Sequence, residues 1–214
     1  MTACTLCNNT AVVPYHQDRR RPYLQCQNCC LIFADPASHL TPEEEKAIYD
    51  QHENHVDDEG YRGFLQRLAS PLAAKLPQEP LDGLDFGCGP GPALAAIFRE
   101  QGHRMAVYDP YYAPDNQVLE RQYDFVTCTE AIEHFYTPGR EWQQLLSLVK
   151  PGGWLGLMTK LATDVAAFSR WHYKNDPTHV SFFSRETFQF LAQRDGLTVE
   201  FVGNDVIMLR KDQS

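Results

Sequence analysis

From residue 81 onward, short apolar runs alternate with stripes of apolar residues at helical spacing. Predicted strands fall, in chain order, at residues 84–86, 105–108, 123–127, 154–159, 197–202 and 206–211. Predicted helices lie between them at residues 93–101, 139–150 and 184–194. This regular alternation predicts an α/β fold with a mainly parallel sheet covered by helices. Gly203, Asn204 and Asp205 separate the last two strands and predict a closing antiparallel hairpin.

Two more helices are predicted upstream of residue 81. The first begins at Thr41. The threonine cap is followed by Pro42 at the first helical position and by Glu44 three residues after the cap, which is typical of a capping box. The second covers residues 60–76, where leucine and phenylalanine recur on one stripe. The polar run at residues 49–55 has two interpretations, either as the wall of a ligand pocket or as a solvated connection.

Length and charge indicate that the chain is divided into parts. A chain of 214 residues with 43% hydrophobic side chains predicts one main globular domain and a small appendage. The net charge of −9 is uneven, since residues 1–34 carry a local +2 and the rest of the chain carries −11. An acidic body argues against a broad nucleic-acid surface. We predict an appendage at 1–34, a helical connector or lid at 35–80 and the main domain at 81–214.

The sequence also bears on the compartment. No window approaches eighteen consecutive apolar residues, and the N-terminus lacks the charged and apolar regions of a secretory signal. We therefore expect no membrane partner and a cytoplasmic location, where thiols stay reduced. In that environment, clustered cysteines indicate a metal site rather than disulfides.

Four of the seven cysteines form two closely spaced pairs near the N-terminus. Cys4 and Cys7 make one C-x2-C pair, and Cys26 and Cys29 make the second after eighteen further residues. Two such turns supply the four thiolates of a tetrahedral zinc site. So short a segment buries too little apolar surface to fold alone, so metal binding would supply the missing stability. The pattern resembles a zinc ribbon and predicts a closed, structural zinc site, with Cys30 as an alternative to Cys29.

Three consecutive arginines, Arg19, Arg20 and Arg21, lie in the polar loop between the two cysteine pairs. Two interpretations are open for them. They either grip a phosphate group or form a charged, solvated loop, and we favour the solvated loop.

A glycine-rich turn at residues 87–91 follows the first strand of the main domain. Glycines at such a position let a ligand approach the backbone closely. Pro90 and Pro92 lack the N–H groups that would cradle a pyrophosphate, so a nucleoside without phosphates fits better. Asp109 ends the next strand, where an acidic side chain can accept hydrogen bonds from ribose hydroxyls.

Four motifs in order carry a family resemblance. They are LDFGCGPG at 84–91, YDP at 108–110, YDFVTCTEAIEHF at 123–135 and KPGG at 150–153. This set resembles the motifs of class I S-adenosylmethionine-dependent methyltransferases, most closely the bacterial branch with a methyltransferase domain behind a zinc ribbon. The resemblance covers about residues 81–211 and implies a Rossmann-like sheet, an S-adenosylmethionine cofactor and methyl transfer. It does not identify the acceptor.

The resemblance also implies roles for particular residues. Contacts to the methionine part of the cofactor are implied for Asp85 and for the backbone of Gly87, Cys88 and Gly89. Asp109 would hold the ribose, with Pro110 and Tyr111 near the adenine. The pocket near the sulfonium would be lined by Cys128, Thr129 and Glu130, at the end of the predicted strand that begins at Tyr123. Cys88 and Cys128 also suit a second interpretation as small core-filling side chains.

One stretch departs from the family pattern. Only thirteen residues separate Asp109 from Tyr123, which is too short for the helix, third strand and acidic motif that most relatives have there. We therefore expect the third strand to be reduced or missing. The acidic contact to the adenine amine is then unassigned, with Asp115 and Asn116 as candidates.

The segment at residues 168–183 follows the predicted strand at 154–159 and is rich in aromatic and titratable side chains. Related methyltransferases have a similar W-H-Y…D-P-T-H-V…F segment covering the site, and loops at the carboxyl edge of an open α/β sheet bind ligands. A role in acceptor binding or base catalysis is the interpretation we favour. The alternative is local structure, with Asp176 and Thr178 in a turn and Phe182 and Phe183 in the core.

Candidate catalytic residues come from this segment and from the third motif, at residues 123–135. An imidazole titrates near neutrality and can accept a proton from an acceptor, so the candidate bases are His134, His172 and His179. Tyr173 and Asp176 lie among them and are further candidates. A catalytic metal held by Asp176, His172 and His179 is a separate hypothesis.

Three functional classes remain open on the sequence. The leading hypothesis is methyl transfer from S-adenosylmethionine to an O, N or C atom of a small-molecule acceptor. The second is an RNA or protein methyltransferase whose zinc ribbon docks the polymer. The third is a non-catalytic module that binds S-adenosylmethionine.

Overall fold

A computed structural model describes residues 2–51 and 55–213, so part of the polar run predicted as a pocket wall or connection lies outside the described residues. The chain forms two compact units, each assembled from three stretches. The first, here called the cysteine unit, comprises Met1–Gln51, Ala131–Gln143 and Thr159–Asp195. The second, here called the sheet unit, comprises His52–Glu130, Gln144–Met158 and Gly196–Ser214. The predicted limits at residues 34 and 80 stay predictions, since the two units divide the chain elsewhere.

The sheet unit is built on a six-stranded sheet. Its strands are β4 (Asp82–Phe86), β5 (Arg104–Tyr108), β6 (Tyr123–Thr129), β7 (Val149–Met158), β9 (Leu197–Val202) and β10 (Val206–Lys211). Their spatial order is β5-β4-β6-β7-β10-β9. The four strands from β5 to β7 are parallel, whereas β10 pairs antiparallel with both β7 and β9. The α/β class, the parallel sheet and the closing hairpin are therefore confirmed.

The third strand is missing, as expected. Residues 109–122 are all described, and they contain only an isolated bridge between Asp109 and Ala113 and a 3-10 helix at Asn116–Glu120. Asp115 caps that helix by accepting a hydrogen bond from the Gln117 amide at 3.0 Å. β5 is consequently the edge strand of the sheet.

The strand predicted at 154–159 begins five residues earlier than expected, at Val149. The KPGG motif lies inside β7, whose pairing with β6 skips from Val149 opposite Tyr123 to Trp154 opposite Phe125. The extra residues form an irregular bulge in which Gly152 has φ of 76°. A Cβ on Gly153 would lie 2.7 Å from the Asp124 carbonyl oxygen, so only glycine permits this close approach of the two strands.

Helices α2 (Glu59–Ala73) and α3 (Ala93–Glu100) belong to the sheet unit. Asp58 caps α2 by accepting a hydrogen bond from the Tyr61 amide at 2.6 Å. The apolar stripe of α2 buries Leu65, Leu68 and Leu72 in one core with α3 and the sheet. The second predicted upstream helix is thus part of the sheet unit, and it ends three residues earlier than expected.

The cysteine unit holds a second sheet of four strands in the order β1-β2-β3-β8. These are β1 (Val12–Gln17), β2 (Pro22–Cys26), β3 (Ile32–Ala34) and β8 (Ser181–Phe182), and every pair is antiparallel. β8 belongs to the 168–183 segment, which was expected as a loop. The segment forms structure because its aromatic side chains have a core to enter, where Phe168 and Phe182 pack against Tyr23.

Helices complete the cysteine unit. They are α1 (Pro42–Tyr49), α5 (Val165–Arg170) and α6 (Arg185–Asp195), while α4 (Pro138–Leu148) begins in this unit. The capping box at Thr41 is confirmed, since its side chain accepts from the Glu44 amide and its amide donates to the Glu44 carboxylate. Trp142 on α4 is buried and donates to Asp195 at 2.7 Å, fixing α4 against the end of α6. Within the described residues, the helices are too short or too polar to cross a membrane.

Candidate functional site

The glycine-rich turn begins where β4 ends. Gly87 and Gly89 adopt φ of 75° and 61°, a left-handed conformation that side chains disfavour. The Gly87 and Cys88 amides donate to the Tyr108 carbonyl at 2.8 and 3.1 Å, which ties the turn to the end of β5. A Cβ added to Gly89 would meet nothing within 4 Å, so open space lies beside the backbone here. This is the kind of cradle that a ligand can approach closely.

Asp109 fixes the shape of this cradle. Its carboxylate accepts from the Gly89 amide at 3.0 Å and from the Tyr111 and Tyr112 amides at 2.9 and 3.1 Å. The side chain is 8% exposed. One carboxylate therefore holds the turn and the segment after β5, which contains Pro110 and Tyr111, in one arrangement. The structure brings these residues together as the resemblance implied, and their contacts with a cofactor stay predictions.

Asp85 is the second carboxylate of this region. It is buried at the end of β4, and Thr127 of β6 donates to it at 2.8 Å. Burial raises the pKa of Asp85 to about 6, although the Thr127 hydrogen bond opposes the shift. The fold therefore holds a carboxylate beside the glycine turn in an environment that disfavours its charge.

The end of β6 supplies the remaining predicted cofactor residues. Cys128 is fully buried, and burial raises the pKa of Cys88 to about 12, so both thiols suit the interpretation as core-filling side chains. Thr129 is half-buried. Glu130 adopts φ of 47° while its amide donates to the Met158 carbonyl at 2.8 Å. A non-glycine residue in this conformation is uncommon and is concentrated at functional sites.

Tyr61 is a residue of this region that the sequence reasoning missed. Burial raises the pKa of its phenol to about 12, and the nearby carboxylates of Asp85 and Glu130 act in the same direction. Helix α2 thus places a phenol beside the end of β4. No local pattern in the sequence indicates this position, because it depends on how α2 packs.

The four paired cysteines form a compact cluster in the cysteine unit. The sulfur atoms of Cys4, Cys7, Cys26 and Cys29 all lie within 4.8 Å of one another, with Cys4–Cys29 and Cys7–Cys26 each at 3.5 Å. Zinc bound at about 2.3 Å from each sulfur would space them about 3.8 Å apart, so the cluster fits a tetrahedral ion. The cluster contains Cys29, whereas Cys30 is outside it.

Backbone groups support the same interpretation. The Leu6 amide approaches the Cys4 sulfur at 3.4 Å, and the Asn28 amide approaches the Cys26 sulfur at 3.4 Å. The contact between the Cys4 and Cys29 thiols lowers the pKa of Cys4 to about 5 and raises the pKa of Cys29. Amides that point at sulfur favour thiolate, which is the form that binds metal.

A third group of titratable side chains lies elsewhere in the cysteine unit. Glu133 and His134 come from a 3-10 helix at Ile132–His134, and His179 comes from the 168–183 segment. One ligand atom from each lies within 4.8 Å of the others. Tyr173 packs its ring 4.2 Å from that of His179 and donates its hydroxyl to Glu133. Burial lowers the pKa of His134 to about 4, so this imidazole is neutral at pH 7.

The structure separates His172 from the other catalytic candidates, whereas the Asp176 carboxylate lies 3.9 Å from His179 Nε2. His172 is exposed and lies 3.5 Å from the Lys160 ammonium, outside the group of Glu133, His134 and His179. The hypothesis of a metal held by Asp176, His172 and His179 is therefore wrong, because His172 points to solvent. Asp176 accepts from the Thr178 amide at 2.9 Å and hydroxyl at 2.6 Å, forming the turn expected under the structural alternative.

Arg21 has neither of the two roles considered for the arginine loop. It is 6% exposed, and its guanidinium donates to the backbone carbonyls of Lys174, Asp176, Pro177 and His179. Arg20 also donates to a carbonyl of this segment, that of Asn175. The loop therefore clamps the segment that carries His179. An arginine suits this position because its five guanidinium N–H donors can satisfy several buried carbonyls at once.

Comparison with known proteins gives a fold and a family. An O-methyltransferase family protein from Burkholderia thailandensis matches with a TM-score of 0.54 and 15% identity, over 79% of this chain and 63% of that one. The magnesium protoporphyrin IX methyltransferase (ChlM) from Synechocystis PCC 6803 with bound SAH matches with a TM-score of 0.51 and 12% identity, over 79% and 94% of the two chains. A search of curated proteins gives no significant match.

A family model described as a methyltransferase domain matches residues 52–201, well over half of the chain. That range contains the glycine turn, Asp109 and the ends of β4 to β6. It begins after the four-cysteine cluster, so membership of the zinc-ribbon branch stays a proposal. This match shows that the chain belongs to the methyltransferase domain family and is an enzyme.

Proposed function

We propose that the protein transfers a methyl group from S-adenosylmethionine to a small-molecule acceptor. The observation that carries the proposal is the turn after β4, which is held open by Asp109 through the Gly89 amide and lies beside the buried Asp85. The space next to Gly89 and the adjacent carboxylates fit a ligand with a ribose and a charged amino group. The Synechocystis enzyme with bound SAH shares this fold.

The bound cofactor would supply a methyl group on a sulfonium: the acceptor's lone pair forms the new bond to carbon, the C–S bond breaks with its electrons on sulfur, and any proton on the attacking atom leaves. Asp109 would hold the ribose hydroxyls, because its carboxylate stands at the turn. Asp85 and the backbone of Gly87 to Gly89 would hold the methionine part. Positioning of this kind can carry much of the catalysis when the leaving group is already activated.

The charge distribution favours a small acceptor over RNA. The chain outside residues 1–34 carries a net charge of −11. Within residues 1–34, Arg21 is buried in the protein and is not available to a polyanion. A polyanion needs an exposed cationic surface, which this division of charge opposes. The polymer-docking hypothesis remains the alternative that the experiments below test.

We further propose that Cys4, Cys7, Cys26 and Cys29 hold a structural zinc ion. The four sulfur atoms fill the tetrahedral set that zinc prefers, so no coordination position is open for chemistry. The ion would stabilise the small sheet of β1, β2, β3 and β8, whose first three strands lie next to the cysteine pairs.

Isothermal calorimetry with S-adenosylmethionine and S-adenosylhomocysteine tests the cofactor assignment. We expect micromolar binding of both, and at least a tenfold loss for Asp109→Ala, since each of its charge-assisted hydrogen bonds is worth about 1.5–3 kcal/mol. Asp212→Ala is a matched control, because it removes one exposed carboxylate outside the turn. Absence of binding to the folded wild-type protein refutes the proposal.

Turnover separates the two remaining classes of function. A panel of small hydroxyl, amine and carboxylate acceptors, with production of S-adenosylhomocysteine as the readout, should show activity that depends on one chemical class. Methylation of RNA or protein in place of small molecules supports the polymer hypothesis.

A further inference from the structure

The group of Glu133, His134 and His179, here called the EHH cluster, has a chemistry that the proposed methyl transfer does not use. One ligand atom of each residue lies within 4.8 Å of the others, and the two imidazole rings are 4.7 Å apart at an angle of 70°. Glu133 is 1% exposed and His179 is 9% exposed. Three side chains with metal-ligating atoms therefore converge in a largely buried place.

Hydrogen bonds fix the tautomer of both histidines. His134 Nδ1 lies 3.2 Å from the Thr178 carbonyl oxygen, and His179 Nδ1 lies 2.7 Å from the Tyr173 carbonyl oxygen. A carbonyl only accepts, so Nδ1 of each ring must carry the proton. Nε2 of each ring is then the nitrogen that can bind a metal ion. An Nδ1–H donated to a backbone carbonyl is the arrangement that orients metal-ligating histidines.

The carboxylate of Glu133 is held in the same way. The Tyr173 hydroxyl donates to Oε1, and the Thr159 hydroxyl donates to Oε2 at 2.9 Å. Hydrogen bonds from neighbouring side chains fix a ligating carboxylate in place and tune its basicity. The cluster therefore brings together two imidazole Nε2 atoms and one carboxylate, a set of donors that divalent cations bind.

We propose that the EHH cluster binds one divalent first-row transition metal ion. Two imidazole nitrogens and one carboxylate suit Mn²⁺, Fe²⁺, Co²⁺ or Zn²⁺ better than Ca²⁺, which takes oxygen ligands. Three protein ligands leave coordination positions open, which is typical of a catalytic ion rather than a structural one. The open positions would take water or another oxygen ligand.

The two metal sites can be told apart by their donors. The four-cysteine cluster offers soft thiolates, which Mn²⁺ binds poorly, whereas the EHH cluster offers nitrogen and oxygen. We therefore choose Mn²⁺ as the probe, added to protein that retains its zinc. Electron paramagnetic resonance reports free Mn²⁺ directly, and the loss of that signal gives the number of ions bound per chain.

The expected result is about one Mn²⁺ per chain in the wild-type protein, with at least a tenfold weaker affinity in His179→Gln and in Glu133→Gln. His55→Gln is the matched control and should bind like the wild type, because His55 is exposed and lies outside the cluster. Zinc content and the thermal unfolding transition of each variant report whether it has folded. If Glu133→Gln does not fold, His134→Gln and His179→Gln decide the question.

Two outcomes overturn the inference. One is a folded wild-type protein that binds no Mn²⁺ and takes up no Co²⁺ or Zn²⁺ beyond the ion of the four-cysteine cluster. The other is Mn²⁺ binding that survives unchanged in both folded histidine variants. Calorimetry with S-adenosylhomocysteine keeps the proposals separate, since intact cofactor binding without Mn²⁺ binding removes the metal site and leaves the methyltransferase proposal standing.

Discussion

Arg21 offers the sharpest test of how the cysteine unit is held together. Its guanidinium is 6% exposed and donates to four backbone carbonyls of residues 174–179 at 2.6–3.1 Å. At about 1 kcal/mol net for each hydrogen bond, Arg21→Ala removes about 4 kcal/mol. We therefore expect a large loss of stability.

Urea unfolding followed by tryptophan fluorescence measures this loss, since Trp142 and Trp171 both lie in the cysteine unit. A loss of about 4 kcal/mol corresponds to a melting temperature lower by about 8–16 °C in a chain of this size. Arg21→Lys should restore less than half of the loss, because one ammonium cannot satisfy four carbonyls in a fixed fork.

Arg19→Ala is the control for the Arg21 experiment. Arg19 is exposed, and surface substitutions of this kind stay within about 0.5 kcal/mol. If Arg21→Ala also stays within that margin, the clamp does not stabilise the unit and the reasoning from buried hydrogen bonds is refuted.

Three further predictions concern the cysteine cluster, the bulge and the buried carboxylate. Metal analysis should find about one zinc per chain in Cys30→Ser and none bound at that cluster in Cys29→Ser, and equal zinc in both variants would contradict the assigned ligands. Gly153→Ala should cost about 1–3 kcal/mol, because its Cβ would lie 2.7 Å from a backbone oxygen, whereas Gly63→Ala on the open face of α2 should gain about 0.5–1 kcal/mol in urea unfolding. Burial raises the pKa of Asp85 from 3.8 to about 6, so the native state binds more protons than the unfolded state between these values and stability falls as pH rises through them. Asp85→Asn should flatten that slope and be more stable than the wild type at pH 7 by up to about 3 kcal/mol. An unchanged slope between pH 4 and pH 7 would show that burial does not disfavour the charged form of the Asp85 carboxyl group.

Local patterns in the sequence predicted the sheet unit well. The alternation of apolar runs and helical stripes predicted the mainly parallel sheet, and the short stretch between Asp109 and Tyr123 indicated that a strand is reduced or missing. The Gly87 to Gly91 turn was predictable because glycine, strand and helix follow each other directly in the chain. Tyr61 was missed, since its approach to Asp85 depends on how α2 packs and not on any local pattern.

The cysteine unit was harder to predict because its contacts join distant residues. Nothing near Arg21 in the sequence reveals that its hydrogen-bond acceptors lie about 150 residues later. The pairing of β3 with β8 is of the same kind, and it turned an expected loop into a strand. Glu133 was passed over as a ligand for a related reason, since only the fold brings it to His179.

The β3–β8 pair also has a consequence for the order of events during synthesis. Phe33 pairs with Ser181, so the N-terminal sheet lacks its last strand until about 150 more residues have been made. At about 5–20 residues per second, the N-terminal segment waits roughly 7–30 s on the ribosome for that partner. Loop closure over such a span adds an entropic cost that slows folding, and early metal capture by the four cysteines would hold the waiting strands in register. The N-terminal segment would thus be the first part to begin folding and among the last to finish. A chain stalled before residue 180 should therefore be the form most open to proteolysis.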